Sequence, residues 1–116
     1  METLTTSPTA AVCLLRGLGD VTRLSILQLL SNAELRTVDV VNALGIPQST
    51  ASKHLACLRD CGLVDARPAG RATFHTLSHP ESTLALLRAA EALLHETGEA
   101  VTLCENFGPG APGALE

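Results

Sequence analysis

PQSTASKHLACLRDCG, residues 47–62, decides the fold. Ala51, Leu55 and Leu58 recur at helical spacing and continue into Leu63, which predicts one helix with a narrow buried stripe. Opposite that stripe, about 90–170° around the wheel, lie Ser49, Ser52 and Lys53. A separate flank carries Thr50, His54, Cys57 and Cys61 at spacings of 4, 3 and 4. The first half offers short polar and basic groups suited to a DNA groove. In the second half, two cysteines four positions apart stand about 40° apart around the axis.

Upstream, Arg36 to Leu44 predicts a short helix with Val38, Val41 and Leu44 on one side, stopped by Gly45. Pro47 then falls in a first helical turn, where its missing N–H costs little. Helix, tight turn and helix with polar first turns make a helix-turn-helix. Downstream, Leu63–Arg67, a turn at Pro68-Ala69-Gly70, and Arg71–Leu77 predict a two-stranded hairpin, a wing. Arg67 and Arg71 flank its turn, suitably placed for DNA phosphates.

Further out, Pro8 to about Gly17 predicts a first helix, in which Cys13 sits among Ala11, Val12, Leu14 and Leu15 and reads as packing. Asp20 is the expected N-cap of a second helix, VTRLSILQLLS. Pro80 opens a long helix whose leucines at 84, 86, 87, 93 and 94 cover more than one side, which suits a partner subunit. The expected organisation is a flexible segment over residues 1–7, one dimeric DNA-binding domain over residues 8–98, and a Gly/Pro-rich flexible tail over residues 99–116. The fold class is mainly α, an α+β winged helix-turn-helix of about five helices and a two-stranded wing, paired into a homodimer through its terminal helices.

The formal charge of −4 is unusual for a nucleic-acid binder, but Lys53, Arg59, Arg67 and Arg71 place half of the eight basic residues in one central segment. The N-terminus lacks the basic and apolar parts of a signal peptide, so the expected compartment is the cytoplasm. There, four cysteines read as thiols, metal ligands or redox groups rather than as a disulfide framework. Cβ atoms one helical turn apart are about 5–6 Å apart, which lets Cys57 and Cys61 close on one soft cation. Cys104 in the tail is the candidate third donor, and Cys13 an accessory one. Three thiolates suit Cd(II) or Pb(II) better than Zn(II), which takes four strong donors in closed sites. His75 and His79, in the wing and its exit, are expected to be exposed, and His54 to touch DNA. No His/Asp partner set or Gly-rich ligand loop supports an enzyme.

With DVTRLSILQLL, STASKHLACLRDCGLV and GRATFHTL in order, residues 11–97 resemble the ArsR/SmtB family of metal-responsive repressors. Cys57 and Cys61 in HLACLRDCGLV, with a later tail cysteine, are similar to its cadmium- and lead-sensing CmtR branch. The resemblance implies a homodimer that binds operator DNA without metal and releases it when Cys57, Cys61 and Cys104 take up the ion, with Cys104 supplied by the other subunit. In the expected complex Gln48, Ser49, Thr50, Ser52, Lys53 and His54 face the major groove while Arg67 and Arg71 hold the backbone. The stretch Glu34–Val40 lacks the thiols that other family members carry at the start of the third helix. Oxidation of the same cysteines is the alternative signal.

Overall fold

The computed structural model describes residues 7–98, and Cys104 with the rest of the tail lies outside them. Its elements run α1 (Pro8–Leu18), α2 (Val21–Leu30), β1 (Leu35–Arg36), α3 (Thr37–Leu44), α4 (Gln48–Asp60), β2 (Val64–Ala69), β3 (Ala72–Leu77) and α5 (Pro80–Glu96). The chain divides into two compact units, one ending at His79 and one beginning at Pro80.

In the first unit, Asp20 caps α2 as expected, its carboxylate accepting the Arg23 N–H at 2.9 Å. The interior is aliphatic: Ile26, Leu27 and Leu30 of α2 meet Val40 of α3 and Ala51, Leu55 and Leu58 of α4, with Leu63, Val64 and Leu77 from the sheet. The predicted stripe of α4 is the buried one, Ala51, Leu55 and Leu58 being at most 2% exposed. Gly45 ends α3 at φ 64°, a left-handed conformation that a side chain would oppose. Pro47 is the N-cap of α4 rather than a residue of its first turn, because its extended ψ of 149° precedes the first helical residue, Gln48.

The five helices and the two-stranded wing stand as expected, and a short third strand joins the wing; the wing turn, the buried residue of α3 and Cys13 differ from expectation. The sheet has three strands in the order β1-β3-β2, since Leu35 and Arg36 pair with His75 and Phe74. A two-residue strand carries too little alternation to register in the sequence. The hairpin turns at Gly70-Arg71, not at Pro68-Ala69-Gly70, because Ala69 still pairs with Ala72 and Gly70 takes φ 62°. On α3, Val40 is the residue fully buried while Val38 is 46% exposed. With β1 leading directly into Thr37, the helix is rotated so that Val40 faces α2 and α4.

Cys13, expected to pack, is exposed, as are its neighbours Val12 and Leu15. Leu18 of α1 joins the core, while Val12 and Leu15 leave part of its apolar surface uncovered. In the second unit, α5 leaves Leu93 and Leu94 exposed. No helix among the described residues is long and apolar enough to cross a membrane.

Candidate DNA-reading helix and its thiol pair

With one side of α4 sealed in the core, Gln48, Ser49, Ser52 and Lys53 stand exposed, and Thr50 is half-buried. This polar row begins at the helix N-terminus, where the backbone N–H groups and the positive end of the helix dipole also point outward. Short side chains there leave the backbone free to come close to a base edge.

His54 is placed differently from the rest of that row. It is half-buried, its Nδ1 lies 3.3 Å from Nη1 of Arg23, and Asp20 Oδ2 is 3.9 Å away. A nitrogen facing a guanidinium N–H must accept, so the ring proton belongs on Nε2. Arg23 itself donates from Nε to the Gly17 carbonyl at 2.5 Å and from Nη2 to that of Arg16 at 3.1 Å. One cation thus satisfies the end of α1 and braces α4. In sequence, the only signal for Arg23 is a cation three positions after a helix N-cap and next to an apolar run.

The two central thiols do come together. The N–H of Cys61 donates to the Cys57 carbonyl at 3.0 Å, so helical register persists through the C-cap and both side chains share a face. The Cys57 thiol is near enough to act on that of Cys61 electrostatically. Cys61 as a residue is exposed, but its sulfur is seated against Gly17: a Cβ added there would stand 2.9 Å from it. Burial pushes the Cys61 thiol up, the adjoining Cys57 raises it further, and the Arg23 charge opposes both. Two sulfurs on one face, backed by a glycine, fit a soft cation in donor type. Among the described residues no third His, Cys, Asp or Glu completes a metal site.

In the wing, Arg67 is occupied by protein groups. Its guanidinium donates to Glu34 at 2.6 Å and lies over the Phe74 ring, 5.0 Å from the centroid. Arg71, at the turn, is exposed and has no ion pair among the described residues. His79 is exposed as expected, but His75 is 4% exposed. It sits on the middle strand, with Leu35 on one side and Ala66 on the other, and its Nε2 meets Thr37 Oγ1 at 2.9 Å. Burial first, and then the Arg59 charge, push its pKa below the ordinary 6.5.

A helix-turn-helix with an exposed polar N-terminal row, followed by a hairpin, defines a winged DNA-binding module. The family described as bacterial regulatory protein, arsR family, matches residues 20–66. The chain is 33% identical to a probable mercury resistance operon repressor of Streptomyces lividans over 90% of its own length and 82% of the relative's. It is 35% identical to the transcriptional regulator CmtR of Mycobacterium tuberculosis, over 68% of this chain and 67% of that one. The structure of HlyU from Vibrio cholerae superimposes with a TM-score of 0.65 at 32% identity, covering 75% of this chain and 97% of HlyU. The chain belongs to the arsR family and is a DNA-binding transcriptional regulator.

Proposed function

We propose that this regulator is a homodimeric repressor that holds operator DNA without metal and releases it when a thiophilic ion, Cd(II) or Pb(II), is taken up by Cys57, Cys61 and Cys104. The observation that carries the reading is the placement of Cys57 and Cys61: one helical turn apart, on one face at the C-terminal end of the helix whose N-terminal half presents Gln48, Ser49, Thr50, Ser52 and Lys53. The similarity to CmtR and to a mercury resistance operon repressor supports a soft-ion signal. The outward apolar residues Val12 and Leu15 of α1, and Leu93 and Leu94 of α5, support self-association.

The sulfurs must lose their protons to bind, and a bound ion supplies a strong positive centre that holds the thiolates together. Because the Cys61 sulfur is packed on Gly17, and the Gly17 carbonyl is held by Arg23, engagement of Cys61 is felt at the α1–α4 junction. A hundredfold loss of DNA occupancy requires the ion to favour the released state by about 2.7 kcal/mol. Thiolate–metal binding energies of about 10 kcal/mol or more leave room for it.

Titration of the reduced full chain with Cd(II), Pb(II) and Hg(II), followed by thiolate-to-metal absorption and by release of a DNA duplex, tests the reading. The expected result is a band that uses three thiols and disappears in Cys57→Ser, Cys61→Ser and Cys104→Ser, with DNA release lost in parallel. The placement of Cys57 and Cys61 one helical turn apart also supports a second reading, thiol oxidation. DNA release by mild oxidant but not by any ion selects that one. The helical spacing counts against a Cys57–Cys61 disulfide, whose Cβ atoms belong about 3.5–4.5 Å apart.

A further inference from the structure

Phe74 of β3 pairs with Arg67 of β2 on one side and with Arg36 of β1 on the other, so the three side chains form one row across the sheet. The next residue, His75, is buried, which puts that row on the outward face. The row reads cation, ring, cation, and each cation is held by a carboxylate. Arg36 donates to Asp39 at 3.1 and 2.9 Å. The Arg67 guanidinium lies over the ring, 5.0 Å from its centroid, and donates from Nη2 and Nε to the two oxygens of Glu34 at 2.6 and 3.4 Å. Glu34 is 33 positions away in the chain and comes beside the hairpin because β1, which it precedes, joins the sheet.

The two acids serve different ends. Asp39 also accepts the Arg36 backbone N–H at 2.9 Å and so helps to begin α3. The Glu34 carboxylate meets Arg67 and no other donor among the described residues. Both partners of that pair are exposed, and a surface ion pair adds little to stability. What it does change is the charge that the hairpin shows to a polyanion.

We infer that Glu34 is a restraint on the DNA grip, withholding Arg67 from the duplex backbone so that the wing adds less sequence-independent attraction than its cations would supply alone. Arg67 stands exposed three positions before Gly70, the turn residue. With Glu34 in place, a phosphate has to displace a carboxylate that already fits the guanidinium fork. Without it, a phosphate meets a planar cation already oriented by Phe74. A transcriptional regulator acts by arriving at its site and leaving it. Charge attraction from the hairpin persists whatever the state of the reading helix, so a limit on it bounds residual occupancy. The inference uses DNA binding alone and not the ion proposed above.

The test uses the full chain, reduced and free of metal, on a mixed-sequence duplex, with affinity measured by fluorescence anisotropy across a salt series. Each phosphate contact contributes about −0.9 to the slope of log affinity against log salt. Glu34→Gln keeps the size and one acceptor but removes the charge. It is expected to bind about five- to tenfold more tightly at low salt and to steepen the slope by about one contact. Adding Arg67→Gln to Glu34→Gln should return the slope to that of wild type, and Arg67→Gln alone should stay near it. Asp65, exposed two positions from Arg67 on the same strand and in no ion pair among the described residues, supplies the charge control. Asp65→Asn should gain less than Glu34→Gln. Thermal unfolding checks that each variant keeps its fold, and Glu34→Ala is a second way to free Arg67. A wild-type slope in both Glu34 variants overturns the inference. So does a steep slope that survives removal of Arg67, or a gain in Asp65→Asn equal to that in Glu34→Gln. Binding by Glu34→Gln where wild type shows none supports it, and no binding by either overturns it.

Discussion

Arg23 Nη1 lies 3.3 Å from His54 Nδ1, while the other nitrogens of the same guanidinium hold the Arg16 and Gly17 carbonyls. One side chain of α2 therefore joins the C-terminal end of α1 to the middle of the DNA-reading helix. Arg23→Ala leaves two carbonyls and a ring nitrogen without their donor. The expected cost is about 1.5–3 kcal/mol, as for hydrogen bonds made by a charged group in a part-buried site. Urea denaturation of wild type and variant measures it, and a change below the error of the extrapolation would show the brace to be idle.

Gly17→Ala places a methyl against the Cys61 sulfur, 2.9 Å away. The sulfur is at the end of a short side chain that can rotate, so the fold should survive, while the thiol turns away from its present position beside Cys57. The expected outcome is near-normal thermal unfolding with metal affinity reduced by about tenfold or more, the loss expected when an interaction worth about 1.4 kcal/mol is removed. Equal metal affinity in wild type and Gly17→Ala would mean that the seat does not orient the sulfur.

Because burial and Cys57 hold the Cys61 thiol above its ordinary pKa, an ion bound there as proposed would have to displace its proton at neutral pH. Cadmium affinity should rise steadily between about pH 6 and 8, with proton release detectable by calorimetry in buffers of different ionisation enthalpy. In Arg23→Gln the opposing charge is gone, so alkylation of Cys61 at fixed pH should slow. Unchanged kinetics there would remove Arg23 from the electrostatics of the thiol.

His75 is buried in its neutral form, and its pKa is depressed below 6.5. The unfolded chain therefore takes up a proton that the folded chain refuses as pH falls through that value. Stability from this residue is fully present above about pH 6.5 and declines below it. Its Nδ1 has no hydrogen-bond partner among the described residues, so burying the charged form there has no compensation from one of them. Denaturation midpoints at a series of pH values should fall on the acid side for wild type, and the fall should be smaller for His75→Gln. An identical acid slope in both would place the titration elsewhere.

The helices were legible because their signals are local and periodic. Ala51, Leu55 and Leu58 announce the buried stripe of α4, Asp20 its neighbour's cap, and Gly45 the end of α3. What escaped were relationships that depend on a third element. His75 looks like any wing histidine until β1 pairs with its strand and makes that strand central. Arg67 looks like a spare cation until Glu34, distant in sequence, comes beside it. Val38 and Val40 are equally apolar, and only the orientation of α3 chooses between them. At the site, the adjacency of Cys57 and Cys61 followed from spacing, whereas the Gly17 seat and the Arg23 brace required knowing which way α1 lies.

The pairing of Leu35 and Arg36 with the hairpin also sets how the protein meets its target. The stretch that opens α3 is stitched at Phe74 and His75 to the strand leading back from the wing, so the base of the hairpin is joined to the helix-turn-helix within the folded chain. A freely hinged hairpin would surrender conformational freedom on docking; this one has already given it up during folding. A duplex that fits this arrangement should bind at little entropic expense, and one that does not should have to bend to fit.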